Sequence, residues 1–210
     1  MNVYFVRHGE TVANSKDVFQ SDDDTLTEKG LRQADFVADR LSRLPIQALY
    51  SSDIERAKQT SERVSKSLGI DPEYSALFRE RKEPSSLTGL SFSDPKIIEV
   101  RALRDSHIHE PTWRYEDEEN FDDTVKRCEA ALSLLRESGK EHVAVVTHGV
   151  FMRFLVGVAV FREAYTPEVW LKLRFGLWTL NTGISILQYG AKPVAPEWSV
   201  LTWNDHAHLG

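Results

Sequence analysis

Two short apolar runs, each followed by a histidine and a glycine, constrain the fold of this chain more than any other feature. Val3 to Val6 and Val143 to Val146 are runs of the kind that form strands buried on both faces of a sheet. The first run ends at Arg7-His8-Gly9 and the second at Thr147-His148-Gly149. Ligands of open α/β sheets bind beyond the carboxyl ends of such strands. The pattern therefore predicts two strands that deliver a histidine each to one edge of a sheet.

Segments with helical periodicity alternate with further short strands. Thr27 is a suitable N-cap for a helix ending near Leu41, and Asp53 for a helix that Gly69 closes. The pattern predicts further helices over 96–103 and 121–135 and from Val150 and Pro167, and further strands over 48–52, 183–189 and 197–203. The last two strands are predicted to pair across a turn at 190–196.

This order predicts one α/β domain over residues 1–210. The expected architecture is a three-layer α/β/α sandwich with a mainly parallel central sheet and antiparallel strands at an edge. The proline- and charge-rich segment at about 79–119 is predicted to be a lid or specificity insertion over the C-terminal edge of the sheet.

Composition narrows the functional classes. The net charge of −6 disfavours nucleic-acid binding, which needs a basic face. The apolar run from Val150 to Phe161 contains Arg153 and is too short for a bilayer, so we expect no membrane partner. Cys128, the single cysteine, is expected to pack in the core. The first residues lead straight into a strand without a signal peptide, which favours a cytoplasmic location. A homodimer is compatible with the sequence.

The polar residues at the predicted strand ends suit a phosphoryl group. Arg7 and Arg56 supply guanidiniums that bind phosphoryl oxygens, and His8 and His148 supply imidazoles. Arg56 lies in the first turn of its helix, where the helix dipole favours a bound anion. A zinc site would need a third ligand and would place a dication beside two guanidiniums, so we expect no metal and no cofactor.

Five ordered segments resemble the histidine phosphatase superfamily, the phosphoglycerate-mutase-like group. They are Arg7 to Thr11 with Asn14, Ser51 to Thr60, Phe78-Arg79-Glu80, Val145 to Gly149, and Trp203 to Leu209. The resemblance implies that His8 is a nucleophile that forms a phosphohistidine. It further implies that the phosphoryl group is bound by Arg7, Asn14, Arg56, His148 and Gly149, and that Glu80 is the proton donor.

Several alternatives stay open at this stage. The neighbouring cations Arg79, Arg81 and Lys82 complicate the assignment of Glu80, and Glu83 is the reserve proton donor. Glu10 is expected to be a structural anion near Arg7. A metal-independent phosphomonoester hydrolase acting on a small phosphorylated metabolite is the preferred function. A phosphoglycerate-type mutase and a non-catalytic phosphate-binding module are the alternatives. Ser21, Thr25 and the segment after Glu80 depart from the family pattern, so the substrate is undetermined.

Overall fold

A six-stranded sheet crosses the centre of the protein. The computed structural model describes residues 1–190 and 197–210, so the turn predicted at 190–196 lies almost wholly outside the described residues. The strands are β1 (Asn2–Arg7), β2 (Ala48–Ser51), β3 (Pro72–Tyr74), β4 (His142–Thr147), β5 (Ile184–Tyr189) and β6 (Trp198–Asp205). Their spatial order is β3-β2-β4-β1-β5-β6. The first four in this order are parallel, and β5 and β6 pair antiparallel, which confirms the predicted sheet.

The described residues form seven α-helices, some of which cover the two faces of this sheet. They are α1 (Val12–Ser15), α2 (Glu28–Leu41), α3 (Glu55–Leu68), α4 (Pro95–Ser106), α5 (Phe121–Glu137), α6 (Gly149–Phe161) and α7 (Pro167–Gly176). Thr27 caps α2 as predicted, because its side chain accepts from the Gly30 N–H. The predicted cap of α3 is wrong. Ile54 is the N-cap residue, and the Asp53 carboxylate instead accepts two hydrogen bonds from the Arg79 guanidinium.

Apolar side chains fill both faces of the sheet. One cluster joins β2, β1 and β4 to α2 and α3, including Val6, Val37, Leu49, Val64 and Val146. The other joins the opposite face to α5 and α6, including Phe5, Cys128, Leu135, Val145 and Phe154. Alternate residues of β1 and β4 belong to opposite clusters, which explains why both strands are apolar throughout. The three-layer α/β/α architecture is therefore confirmed, and Cys128 is buried as predicted.

The segment from 79 to 119 carries a small apolar cluster of its own. Leu87, Ile97 and Val100 are buried in it, and Phe19 from the loop after β1 packs against them. The Phe19 N–H donates to Leu90 O at 3.0 Å and Phe19 O accepts from the Gly89 N–H at 2.9 Å. The segment is thus attached to the loop that follows the first histidine.

An acidic run before a helix indicates solvated carboxylates at the helix N-terminus, but two carboxylates of the run before α5 are bonded to arginines instead. Glu118 is only 2% exposed, and its carboxylate accepts from Arg104 and from Arg81. Glu119 accepts from Arg127 at 2.6 Å and from the Lys82 N–H at 2.9 Å. Both carboxylates thus form ion pairs with arginines, and these bonds hold the loop in place.

Replacing Gly30 by alanine is expected to destabilise the fold by about 3 kcal/mol, because backbone meets backbone there. A Cβ at Gly30 would lie 2.1 Å from Glu10 O, and one at Gly9 would lie 2.5 Å from Gly30 O. Neither contact can relax by a side-chain rotation. Urea unfolding should give the loss, with Gly176→Ala as the control because a Cβ there meets nothing within 4 Å. Equal stability of both variants would contradict the close approach.

Candidate active site

The two histidines lie side by side at the carboxyl ends of β1 and β4. Arg7 is in register with Thr147, so the next residues, His8 and His148, leave neighbouring parallel strands at the same level. Their ring centroids are 5.2 Å apart, and neither residue is more than 1% exposed. The His8 N–H donates to Thr147 O at 2.9 Å and completes the ladder between the strands. The structure thus brings together the pair that the sequence pattern predicts.

The hydrogen bonds of His8 define its tautomer. Its Nδ1 lies 2.7 Å from Gly9 O, and a carbonyl can only accept, so Nδ1 carries the proton. The other nitrogen, Nε2, is then unprotonated, and its lone pair accepts from the Arg56 Nε–H at 3.3 Å. Burial, followed by the charges of Arg56 and Arg7, lowers the pKa of His8 well below 6.5. His8 is therefore a neutral imidazole at neutral pH, and its unprotonated nitrogen is Nε2.

A serine from the end of β2 sets the orientation of His148. Ser52 Oγ accepts from the Ile54 N–H at 3.2 Å and lies 2.8 Å from His148 Nε2. Among the described residues, His148 Nε2 is the one acceptor within hydrogen-bond distance of the buried Ser52 hydroxyl, so the hydroxyl donates to Nε2 and the ring proton lies on Nδ1. Nδ1 is buried and has no hydrogen-bond partner among the described residues. His148 thus presents a donor to the pocket rather than a second nucleophile.

Burial lowers the pKa of His148 well below 6.5, and the nearby Arg56 and His8 add to this effect. A bound phosphoryl dianion would favour the protonated ring, because an anion within contact distance raises the pKa of an imidazole. Without a ligand, both histidines of the pair are neutral.

Two buried arginines supply the positive charge of the site. Arg56, in the first turn of α3, is 2% exposed and donates from Nη1 to Ser21 O at 2.7 Å. Arg7 donates from Nη1 to Thr179 O at 2.7 Å. Burial lowers the pKa of Arg7 to about 10 while Glu80 opposes the shift, so Arg7 stays cationic at neutral pH.

Three buried polar atoms around Arg7 have no hydrogen-bond partner among the described residues, namely Arg7 Nε, His148 Nδ1 and Thr179 Oγ1. Gly149, the first residue of α6, lies so close to these atoms that a larger residue would contact them. A Cβ on Gly149 would lie 2.7 Å from Thr179 Oγ1 and 3.4 Å from Arg7 Nε. Buried donors without partners are costly unless a ligand satisfies them. A tetrahedral oxyanion is a ligand that can accept from all three.

Asn14 and Asn181 form an amide pair at the other side of His8. Asn14 Oδ1 accepts from the Thr11 N–H at 3.3 Å and from Asn181 Nδ2 at 3.0 Å. Asn181 Nδ2 also donates to His8 O at 2.9 Å. The acceptor atom of Asn14 is therefore used within the protein, and its amide NH2 remains as the donor that a phosphate oxygen needs.

Sequence reasoning missed Thr179 and Asn181, although a signal for them exists. Both precede β5, and β5 is antiparallel to β1, so its beginning lies at the edge where β1 ends. The C-terminal tail holds this loop, because Asn204 Oδ1 accepts from the Leu180 N–H at 2.7 Å. Asp205 in turn pairs with Arg40 of α2.

Glu80 is seated on the first turn of α6. Its carboxylate accepts from the N–H groups of Phe151 at 2.7 Å, Arg81 at 2.9 Å and Val150 at 3.0 Å. His148 is the N-cap residue of α6, so these bonds hold the Glu80 carboxylate at the helix turn that directly follows His148. Its charge raises the pKa of Arg7 and of Arg56 against the effect of their burial, so it acts on both arginines.

The cations next to Glu80 in sequence are directed elsewhere. Arg79 pairs with Asp53 and Lys82 with Asp117, and Arg81 joins the buried Glu118. Glu83, the reserve proton donor, pairs with Arg104 at 2.7 Å and with Arg81 at 3.3 Å. Glu10 pairs with Lys29 at 2.7 Å and accepts from Thr27 Oγ1 at 3.3 Å, which agrees with a structural anion. Only Glu80 among these carboxylates adjoins the histidine pair.

The buried histidines predict a pH-dependent stability. Their pKa values fall on folding, so below about pH 6.5 the unfolded chain binds protons that the folded protein excludes. The free energy of unfolding should therefore decrease from pH 6.5 to 5, by about 1.4 kcal/mol per pH unit for each histidine. Urea unfolding across this range measures the slope, and His8→Asn should reduce it. A flat profile would show that the two rings take up protons in the folded state.

In the part of the chain that the structure describes, no three His, Cys, Asp or Glu side chains gather as a metal site would require. None of the described helices combines the length and the apolar character that crossing a membrane requires.

Comparison with known proteins assigns one family to nearly the whole chain. The family model of the histidine phosphatase superfamily (branch 1) matches residues 3–206. The probable phosphoglycerate mutase GpmB of Citrobacter koseri is 30% identical over 223 residues, covering 100% of this chain and 95% of that protein.

Two solved structures share the fold at lower identity. A mycobacterial glucosyl-3-phosphoglycerate phosphatase in complex with VO3 has a TM-score of 0.78 at 22% identity, and the match covers 97% of this chain and 98% of that chain. Phosphoserine phosphatase from Entamoeba histolytica, in complex with 3-phosphoglyceric acid, has a TM-score of 0.79 at 18% identity, with 100% and 99% covered. With the family model matching from β1 to the tail, this chain belongs to the histidine phosphatase superfamily.

Proposed function

We propose that this protein is a metal-independent phosphomonoester hydrolase that acts through a phosphohistidine on His8. The observation that carries the proposal is the hydrogen bond from His8 Nδ1 to Gly9 O, which leaves a neutral Nε2 in the pocket of unpartnered donors. A module that only binds phosphate needs hydrogen-bond donors but does not need a nucleophile held in one tautomer. The proposed substrate is a small phosphorylated metabolite.

In the first step, His8 Nε2 attacks phosphorus in line with the ester oxygen. The P–N bond forms, the P–O ester bond breaks, and Glu80 gives its proton to the leaving alkoxide. In the second step, Glu80 takes a proton from water, whose oxygen attacks phosphorus and breaks the P–N bond. The products are the alcohol and inorganic phosphate, and His8 returns to its neutral form.

The surrounding groups hold the phosphoryl oxygens while charge moves. Arg7 and Arg56 contribute two fixed positive charges, and His148 Nδ1, Thr179 Oγ1 and the Asn14 amide contribute neutral donors. Phosphoryl transfer depends mainly on such positioning and charge stabilisation. Because these donors are fixed by Thr179 O, Ser21 O and Ser52, they need little reorganisation when the substrate binds.

A phosphomutase is the second candidate, and the name of the 30%-identical relative, probable phosphoglycerate mutase, favours it. Phosphatase names occur among the structural neighbours. A mutase returns the phosphoryl group from the histidine to a phosphorylated intermediate and must keep water away. The structure of the pocket is compatible with both reactions, because both begin with transfer to His8.

The deciding experiment measures release of inorganic phosphate from an aryl phosphate in excess EDTA. We expect turnover without added metal and without a bisphosphorylated primer. Interconversion of 2- and 3-phosphoglycerate is measured in parallel, with and without 2,3-bisphosphoglycerate. Interconversion that depends on the primer, together with negligible phosphate release, would replace the hydrolase by the mutase. Absence of both reactions would favour a binding module.

A further inference from the structure

Arg127 of α5 is a largely buried cation that the proposed mechanism does not use. A guanidinium has five N–H groups, and the structure gives this one five hydrogen bonds. Nε and Nη2 donate to the two carboxylate oxygens of Glu119 at 2.8 and 2.6 Å. Nη1 donates to Leu77 O at 3.1 Å and to Arg79 O at 2.7 Å, and Nη2 also donates to Glu80 O at 3.4 Å. With its donors used in this way, Arg127 is expected to act through the residues that it binds.

The carbonyl acceptors of Arg127 lie in the loop that carries Glu80. The chain around Glu80 belongs to no helix or strand, so its backbone lacks the hydrogen bonds of regular structure. Arg127 binds three of the four carbonyls from Leu77 to Glu80. The fourth, Phe78 O, accepts from Thr147 Oγ1 at 2.7 Å. Side chains of α5 and β4 therefore hold every carbonyl of this stretch.

Glu119 extends these contacts to the chain that follows Glu80. Its carboxylate accepts from the Lys82 N–H at 2.9 Å, and its own N–H donates to Lys82 O at 3.0 Å. Burial raises the pKa of Glu119, but the hydrogen bond and charge of Arg127, with the Lys82 N–H, bring it below its usual value. Glu119 is therefore anionic at neutral pH. The Arg127–Glu119 pair thus binds the loop on both sides of Glu80.

The same arginine also contacts the helix turn that the Glu80 carboxylate reaches. Its guanidinium carbon lies 4.8 Å from the ring centroid of Phe151. The Phe151 N–H in turn donates to the Glu80 carboxylate at 2.7 Å. A shift of the loop relative to α6 would lengthen this bond and displace the carboxylate from the phosphoryl pocket. Misplacement of a catalytic group by about 1 Å can cost about 10²-fold in rate.

We propose that Arg127, paired with Glu119, is a positioning residue that places the Glu80 carboxylate for proton transfer. The inference rests on the proposed function, because it needs Glu80 as the acid. Arg127 itself takes no part in proton transfer. Its planar guanidinium is required as well as its charge, since a lysine ammonium cannot bind three carbonyls and a carboxylate in the same fixed geometry.

The test measures kcat/KM of Arg127→Gln with an alkyl phosphate and with 4-nitrophenyl phosphate, whose leaving group needs little protonation. We expect a loss of about tenfold to a hundredfold for the alkyl phosphate and a much smaller loss for 4-nitrophenyl phosphate. Arg127→Lys should recover little of this loss. The inhibition constant of inorganic phosphate should not change, because the phosphoryl pocket keeps its donors. Arg136→Gln, which removes an exposed arginine from the last turn of the same helix, is the matched control and should leave both rates unchanged.

A double substitution distinguishes positioning of Glu80 from a general loss of structure. If Arg127 acts through Glu80, adding Arg127→Gln to Glu80→Gln should cause no further loss with the alkyl phosphate. Additive losses would overturn the inference, and so would equal losses of Arg127→Gln on the two substrates. If circular dichroism shows that Arg127→Gln does not fold, Glu119→Gln is judged by the same criteria, because it keeps the shape of Glu119 and removes its charge.

The outcomes also separate the inference from the proposed function. A wild type that hydrolyses neither substrate would refute the proposed hydrolase, and losses of Glu80→Gln that do not depend on the leaving group would refute its acid. The inference would fall with either. A dependence on the leaving group in Glu80→Gln but not in Arg127→Gln would overturn the inference alone and leave the proposed function in place.

Discussion

Alanine at position 8 is expected to reduce aryl phosphate hydrolysis by at least about four orders of magnitude, because no other group can form the P–N bond. The remaining pocket keeps its donors, so substrate should still bind. His148 cannot replace His8, since its Nε2 is engaged by Ser52 and its Nδ1 carries the proton. Steady-state kinetics gives the loss, and intact-mass analysis after rapid quenching should detect a phosphorylated protein only where His8 is present.

His142→Ala is the matched control for this substitution. His142 begins β4, the strand that ends before His148, so it lies at the opposite edge of the sheet. It bonds to Tyr4 Oη at 3.1 Å and contacts no residue of the pocket. Its loss should leave turnover unchanged. Equal activity of wild type and His8→Ala would refute His8 as the nucleophile.

Glu80→Gln is expected to slow the hydrolysis of alkyl phosphates by about 10² to 10⁴, the usual contribution of general acid–base catalysis. An amide has no proton to give to an alkoxide and cannot activate water. For 4-nitrophenyl phosphate, whose leaving group needs little protonation, the first step should suffer much less. The ratio of the two losses, measured by steady-state kinetics on both substrates, therefore reports the acid role itself.

Glu83→Gln provides the comparison, because it is a neighbouring glutamate that pairs with Arg104 and Arg81 instead of α6. It should show no dependence on the leaving group. A dependence in Glu83→Gln but not in Glu80→Gln would transfer the acid role to Glu83. Equal losses of Glu80→Gln on both substrates would refute Glu80 as the acid of the first step.

The strands that end at the two histidines were predictable from sequence, because a strand buried on both faces has a continuous run of apolar residues. β1 (Asn2–Arg7) and β4 (His142–Thr147) each contain the predicted apolar run and extend it by one residue at either end. β3 was missed because Pro72–Tyr74 is three residues long, lies at the sheet edge and has no apolar run. Only its pairing with β2 defines it as a strand.

The residues of the candidate site that were predictable are charged or imidazole side chains at the carboxyl end of an apolar strand. Arg7, His8 and His148 belong to this class. Ser52 and Thr179 were missed because their roles depend on partners far away in sequence: the Ser52 hydroxyl lies 2.8 Å from His148 Nε2, and the Thr179 carbonyl accepts from Arg7. Glu118 was misjudged for the same reason: an acidic run indicates solvent exposure unless the arginines that bury it are known.

The position of β1 in the sheet has a consequence for how the protein folds. β1 lies between β4 and β5, so Phe5 pairs with Val145 on one side and with Ser185 on the other. The loop closures that these contacts require are long, and proteins dominated by such non-local pairings fold slowly. His8 and Arg7 cannot reach their final positions until both late strands have joined. We therefore expect phosphate to accelerate no early folding step and to act only by slowing unfolding, which stopped-flow refolding with and without phosphate can measure.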